Sequence, residues 1–282
     1  MITIKNEMLT VSVNPFGAEL SSIKNNESGR EYMWQGDPTV WNGRSPILFP
    51  IVGRLKNDSF SYDDKIYALP KHGFARRNAF EVISAEADRA VFMLTDTDAT
   101  RRVYPFSFRL TAEYTLSGKT VTVTNTVHNS GAEIMYFSFG AHPAFNIHVG
   151  DSVKFSEKEM LHLCLLNDYG LVTGETVYAE NTNEIVIDAH IFDKDALFFA
   201  NPKNTSAKIV TKEGEEILEM SYGNVPFLGL WAKPNAPYIC IEPWHGICDS
   251  DTVSGRIEEK PHILALVPEK DFVFRYTITI LN

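Results

Sequence analysis

Apolar and polar residues alternate with a period of two along most of this chain, the spacing that sets one face of an extended strand against a core. Leu9, Val11 and Val13 alternate with polar partners, Asn14-Pro15-Phe16-Gly17 supplies a turn, and residues 18–23 read as the returning strand, so an opening hairpin is expected. Phe60-Ser61-Tyr62, Asp63-Asp64-Lys65 and the run 66–69 predict a second, tighter hairpin. Segments 90–95, 106–116 and 120–127 continue the pattern. In 120–127, Thr or Asn alternates with Val, which predicts one wet face and one buried face.

Residues 132–139 are richer in apolar and aromatic side chains and are expected deeper in the sheet system. Further strands are predicted at 184–187, 196–200, 207–212, 217–221, 227–231, 238–241, 263–267 and 272–280, the last with a nearly ideal strand composition. Helical periodicity is scarce. A short capped helical turn is expected at 249–253, with Ser250 or Asp251 as the cap, and 151–158 and 168–173 read as loop or short helix. Segment 173–183 looks least ordered, yet no Gly/Pro-rich linker divides the chain. Many alternating strands need an opposing sheet to bury their apolar faces, so the expectation is an all-β fold. It is a large antiparallel β-sandwich with few short helices, forming a single domain over 1–282.

Composition narrows the function. The formal charge of −10, from 26 basic and 36 acidic side chains, excludes the footprint of a nucleic-acid or anionic-membrane binder. The first residues lack a secretory signal, and no apolar run approaches the roughly 20 residues that cross a bilayer, so a cytoplasmic location is expected. Three cysteines, Cys164, Cys240 and Cys248, form no C-x-x-C pair, and Cys240 within Tyr238-Ile239-Cys240-Ile241 reads as a buried thiol. Cys240, Cys248 and His245 lack the spacing of a structural zinc site. Phosphate loops, dinucleotide fingerprints, zinc-helix motifs and serine elbows are missing, and Asp63, Asp64, Asp96 and Asp98 do not fall in calcium-loop register. These readings favour proton-transfer chemistry without a cofactor or metal.

Four segments carry candidate chemistry. Phe49-Pro50-Ile51-Val52-Gly53-Arg54 should present Arg54 from a loop, where a forked guanidinium can orient hydroxyls. Leu69-Pro70-Lys71-His72-Gly73-Phe74-Ala75-Arg76 places His72 beside a glycine that lets backbone approach a ligand, while Lys71, Arg76 and Arg77 add positive charge. In Gly140-Ala141-His142-Pro143-Ala144-Phe145, His142 follows an apolar strand and precedes a proline. In Ile241-Glu242-Pro243-Trp244-His245, Glu242 is a carboxylate at an apolar strand's end, costly unless paired or wet, and Pro243 is expected to end regular pairing. Trp244 and Trp231 offer broad faces to sugar C–H surfaces. Asp195 can accept from a hydroxyl at a strand mouth. His245 is a competing acid or base; if the segment stays extended past Pro243, the odd separation sets it on the face opposite Glu242.

In these motifs and their order, across nearly its whole length, the sequence resembles the aldose 1-epimerase (galactose-mutarotase-like) family, most of all the bacterial subgroup associated with lactose-utilisation operons. The resemblance implies a β-sandwich with a carbohydrate cleft and interconversion of hexose anomers. It implies Glu242 as general base and His142 as general acid, with Arg54, His72 and Asp195 holding sugar oxygens. Near neutral pH this scheme expects a charged Glu242 and a His142 carrying its donor proton. The ending Ala75-Arg76 is also similar to hexose-6-phosphate 1-epimerases, which keeps a phosphorylated hexose open as substrate through Lys71, Arg76 and Arg77. A non-catalytic sugar-binding protein is the third reading. Monomer and homodimer both stay open.

Overall fold

A computed structural model describes residues 1–282. The alternating segments form strands, and 14 of these join in one almost wholly antiparallel sheet. Its order is Phe139–Gly140, Tyr238–His245, Phe227–Trp231, Leu197–Ala200, Ser152–Leu166, Ser206–Val210, Glu216–Ser221, Asp271–Ile280, Thr120–Asn129, Phe108–Ser117, Arg89–Thr95 and Glu81–Ala85. Ala144–Asn146 adds to Tyr238–His245, and Val172–Val186 adds to Ser152–Leu166.

This sheet folds over on itself to make the sandwich. Tyr238–His245 and Asp271–Ile280 stand six strand positions apart, which in a flat sheet is roughly 29 Å at about 4.8 Å per strand. Yet the His245 ring lies 5.1 Å from that of Phe274, and Phe139 lies 5.9 Å from the same ring. The two ends therefore face each other across a core. Ser152–Leu166 sits where the sheet turns: its first residues pair with Ser206–Val210 and its later ones with Leu197–Ala200. Register shifts along its pairing with Val172–Val186 supply the bends. One cluster of 66 buried apolar side chains runs through both layers, so the layers share a single core.

Local chemistry explains the individual elements. Thr120–Asn129 buries every second residue, as its Thr/Val alternation predicts. Ser59–Tyr62 and Lys65–Ala68 form the tight hairpin, with Asp63 and Asp64 at φ 48° and 56°. Asp tolerates that left-handed conformation, and the resulting turn matches strand twist. The opening hairpin pairs Leu9–Asn14 with Glu19–Asn25, and Ile2–Lys5 completes a separate 3-stranded sheet. The one α-helical turn, Asp98–Arg101, is closed by a reciprocal Thr97–Thr100 capping box.

Three expectations are corrected. Residues 151–158 and 173–183 belong to long strands, Ser152–Leu166 and Val172–Val186. The second is an edge strand wet on both faces, so its Glu, Thr and Asn residues hide the alternation that marks half-buried strands. Residues 249–253 form no helix: Ser250 bridges to Val172, and Asp249 accepts from the Lys56 N–H and pairs with buried Lys260 at 2.6 Å. No helix is long and apolar enough to cross a membrane.

Candidate active site

Strand register brings His142 and Glu242 together. Gly140 pairs with Trp244 and Ala144 with Cys240, so the register carried across the intervening gap sets His142 opposite Glu242. Pro243 does not end the strand, contrary to expectation. Its carbonyl accepts from the Ala141 N–H at 3.1 Å, so its nitrogen faces the same gap, where no ladder partner requires an N–H. Two prolines thus sit where the pairing is interrupted, and that interruption seats the histidine.

His142 Nε2 lies 3.3 Å from Glu242 Oε1, with both side chains buried. The imidazole is stacked on Trp41 at 5.3 Å and meets the Trp231 edge at 5.6 Å. His142 Nδ1 and Glu242 Oε2 have no hydrogen-bond partner. Opposite Glu242 on the neighbouring strand stands Gly229; a Cβ there would meet the Phe198 ring at 2.9 Å and Glu242 Cβ at 3.2 Å. The bare position keeps the floor of the cleft open.

Around this pair lies an open cleft of about 180 Å³, lined by Trp41, Lys71, His72, Arg76, Asp195, Ala196, Phe198, Trp231 and Trp244 as well. That space far exceeds the ~10–15 Å³ that holds one water. His72, with φ 66°, accepts the Gly53 N–H on Nδ1 at 3.0 Å. Burial, followed by the charge of Lys71, pushes its pKa well down. A neutral ring whose Nδ1 accepts carries its proton on Nε2, so His72 is a fixed donor. Arg76 is half-buried; one guanidinium nitrogen donates to the Lys71 carbonyl at 3.0 Å, and its buried Nε has no partner. Asp195 lines the exposed side at φ 76°.

Burial drives the central pair toward its neutral forms. It pushes His142 down to about 3 and Glu242 well above the usual carboxylate range, the latter opposed by the charge of Lys71. The Trp244 N–H lies near enough to favour the carboxylate, although it makes no well-formed hydrogen bond. Burial thus works against the expected charged pair, because two charges taken out of water cost more than they recover there. At 3.3 Å the two groups are close enough to titrate as a coupled pair.

This burial has a measurable effect on stability. The folded-state pKa of His142 is lowered, so its contribution to stability is present above the ordinary value of 6.5 and is lost as pH falls toward about 3. In thermal melts over that window, His142→Asn should lose less stability on acidification than the wild type. Parallel acid limbs would count against a buried neutral imidazole.

Of the residues singled out from sequence, His72, Arg76, His142, Asp195, Trp231, Glu242 and Trp244 all line this cleft. Arg54 does not. Gly53, at φ 66° and packed against Cys248, turns the chain so that Arg54 pairs with Asp58 at 2.8 Å and borders a separate surface hollow with Tyr169. His245 also lies outside: alternation continues through Pro243 and sets its ring against Phe272 and Phe274. Lys71 and Trp41 also line the cleft. The sequence marks Lys71 only as positive charge beside His72 that would suit a phosphate, and Trp41, in Val40-Trp41-Asn42-Gly43, only as one of the tryptophans able to stack on a sugar.

Comparison with known proteins agrees with this architecture. The sequence model described as aldose 1-epimerase matches residues 1–264. The chromosomal protein LacX of Lactococcus lactis subsp. lactis is 32% identical over 298 residues, covering 100% of this chain and 99% of LacX. A galactose mutarotase related enzyme from Lactobacillus acidophilus superposes with a TM-score of 0.94 at 32% identity, covering 99% of this chain and 97% of that one. A galactose mutarotase-like protein from Lactobacillus casei gives a TM-score of 0.94 at 25% identity, with 100% of both chains covered.

Proposed function

Because the chain belongs to the aldose 1-epimerase family, we propose that it interconverts the α and β anomers of a hexose by acid–base ring opening in this cleft. The observation that carries the reading is the buried His142–Glu242 pair, 3.3 Å apart in a cleft walled by tryptophans. The anomeric hydroxyl and the ring oxygen of a pyranose are bonded to the same carbon. Two groups in van der Waals reach of each other can therefore address one oxygen each.

Passing a proton from Glu242 to His142 would generate a carboxylate, favoured by the charges of Lys71 and Arg76, beside an imidazolium. Glu242 then takes the proton of the anomeric hydroxyl while His142 gives one to the ring oxygen. The bond between C1 and the ring oxygen breaks, leaving a free aldehyde and a ring-opened hydroxyl. Rotation about C1–C2 exposes the other carbonyl face, and the reversed transfers close the ring as the opposite anomer. The pair returns to its starting protonation, so nothing is consumed. His72, through its fixed Nε2–H, together with Arg76 and Asp195, would hold sugar oxygens, and Trp231, Trp41 and Trp244 would pack against C–H faces. The reaction as written needs no cofactor and suits a cytoplasmic enzyme.

The test is polarimetric: pure anomers of glucose and galactose, and of their 6-phosphates, are dissolved with and without protein. Faster relaxation of optical rotation is expected for at least one sugar; no acceleration across the panel rejects the proposal and leaves a sugar-binding role.

Phosphorylated hexoses are kept as a second reading by one observation, the presence of Lys71 and Arg76 together on the cleft wall. Under it, Arg76→Ala should raise KM for a 6-phosphate sugar by about 10- to 100-fold, the worth of a hydrogen bond to a charged group, with a smaller effect on the neutral sugar. Equal losses would reject phosphate recognition by Arg76. Arg54→Ala should alter neither.

A further inference from the structure

The strand that delivers Glu242 delivers a second side chain to the same face. Cys240 stands two residues earlier, fully buried, and pairs across the strands with Trp231 of the cleft wall. One donor atom each from His142, Cys240 and Glu242 all lie within 4.8 Å of one another. In a tetrahedral zinc site, bond lengths of about 2.0–2.3 Å put donor atoms roughly 3.3–3.7 Å apart. The His142–Glu242 separation of 3.3 Å already meets that requirement, so Cys240 is the donor that must close in.

We propose that a thiophilic divalent cation, with zinc as the leading case, binds His142, Cys240 and Glu242 and shuts the cleft down. Nitrogen, sulfur and oxygen donors in this combination select zinc-like ions over magnesium or calcium, which prefer oxygen alone. Glu242 Oε2 is buried with no hydrogen-bond partner, so the carboxylate has an uncommitted oxygen beside the Oε1 that faces His142. Three protein ligands leave a fourth position toward the cleft for water. Binding sends the protons that would otherwise sit on the Cys240 thiol and the Glu242 carboxyl into solvent, and each ligand gives a lone pair to the ion. Lys71 and Arg76 on the cleft wall oppose a dication; a thiolate and a carboxylate bound directly to it outweigh them. Inhibition follows because both proton-transfer groups are occupied.

Inhibition rests on the epimerase reading, but binding can be measured without a sugar. Cobalt(II) titrated into the purified protein should give tetrahedral d–d absorption with a near-ultraviolet thiolate-to-cobalt charge-transfer band. That band should vanish in Cys240→Ala and survive in Cys164→Ala and Cys248→Ala. Zinc should suppress anomer exchange reversibly, with a chelator restoring it. Cys240→Ala should keep its basal rate and need on the order of 100-fold more zinc for half-inhibition, since even outer-shell losses weaken metal sites 10- to 100-fold. Thermal melts check the fold, and Cys240→Ser replaces the alanine variant if that one unfolds. A wild-type protein without the charge-transfer band, a band that survives loss of Cys240, or zinc inhibition indifferent to Cys240 would overturn the proposal.

Discussion

Under the proposed mechanism Glu242→Gln should lower anomer exchange by about 10²- to 10⁴-fold, the usual worth of a positioned general base, and leave the protein folded. The amide keeps the shape of the side chain in a site that is 1% exposed, but it takes up no proton. Its effect on stability has the opposite sign. Burial raises the folded-state pKa of Glu242 above the ordinary 4.5, so its contribution is present below that value and is lost as pH rises through the folded-state pKa. The glutamine variant should therefore melt no lower than wild type, with an advantage that grows from weakly acidic toward neutral pH. Rotation relaxation and melts on the same preparations measure both effects. Near-normal exchange in folded Glu242→Gln would remove the residue from the chemistry.

His142→Asn should cost a similar 10²- to 10⁴-fold, because asparagine can donate a hydrogen bond but cannot pass a proton on. The loss should fall on kcat more than KM, since the proposed mechanism gives the imidazole proton transfer and leaves the sugar to other groups. Some stability is lost as well, about 1–2 kcal/mol, because the ring packs against both Trp41 and Trp231. The double variant should be little worse than either single one, as residues that act as a unit are not additive. Additive losses would indicate separate roles, and a KM effect alone would make His142 a binding residue.

Much of this arrangement was legible before any coordinates, for stated physical reasons. Half-buried strands announce themselves by alternation, as Thr120–Asn129 does, and the Asp63-Asp64 turn does so by composition. The segments carrying His72, His142 and Glu242 were visible as polar groups among apolar ones. What alternation cannot convey is direction after an irregular turn. Arg54 was read as a cleft residue, but the left-handed Gly53 aims it at Asp58. Trp41 is marked in the sequence by type alone, as one of the tryptophans able to stack on a sugar; its place beside His142 arises from long-range packing, with no local pattern to reveal it. Only the end of Val172–Val186, from residue 184, is legible as strand, because an edge strand in water has no need to alternate. Pro243 misled because the rule against proline in a central strand assumes an unbroken neighbour, and here the neighbour breaks at His142.

The position of Asp271–Ile280 bears on how the molecule forms. Every other strand precedes it in sequence, yet it lies within the large sheet and alone joins Thr120–Asn129 to Glu216–Ser221. Strands from residue 81 to 129 and those that carry the cleft thus become one sheet only when this segment arrives. Without Asp271–Ile280, the part of the sheet that carries the cleft would keep an unpaired edge at Glu216–Ser221 and a core open on one side. Closure of the large sheet therefore depends on a pairing of high sequence separation, the kind that slows folding.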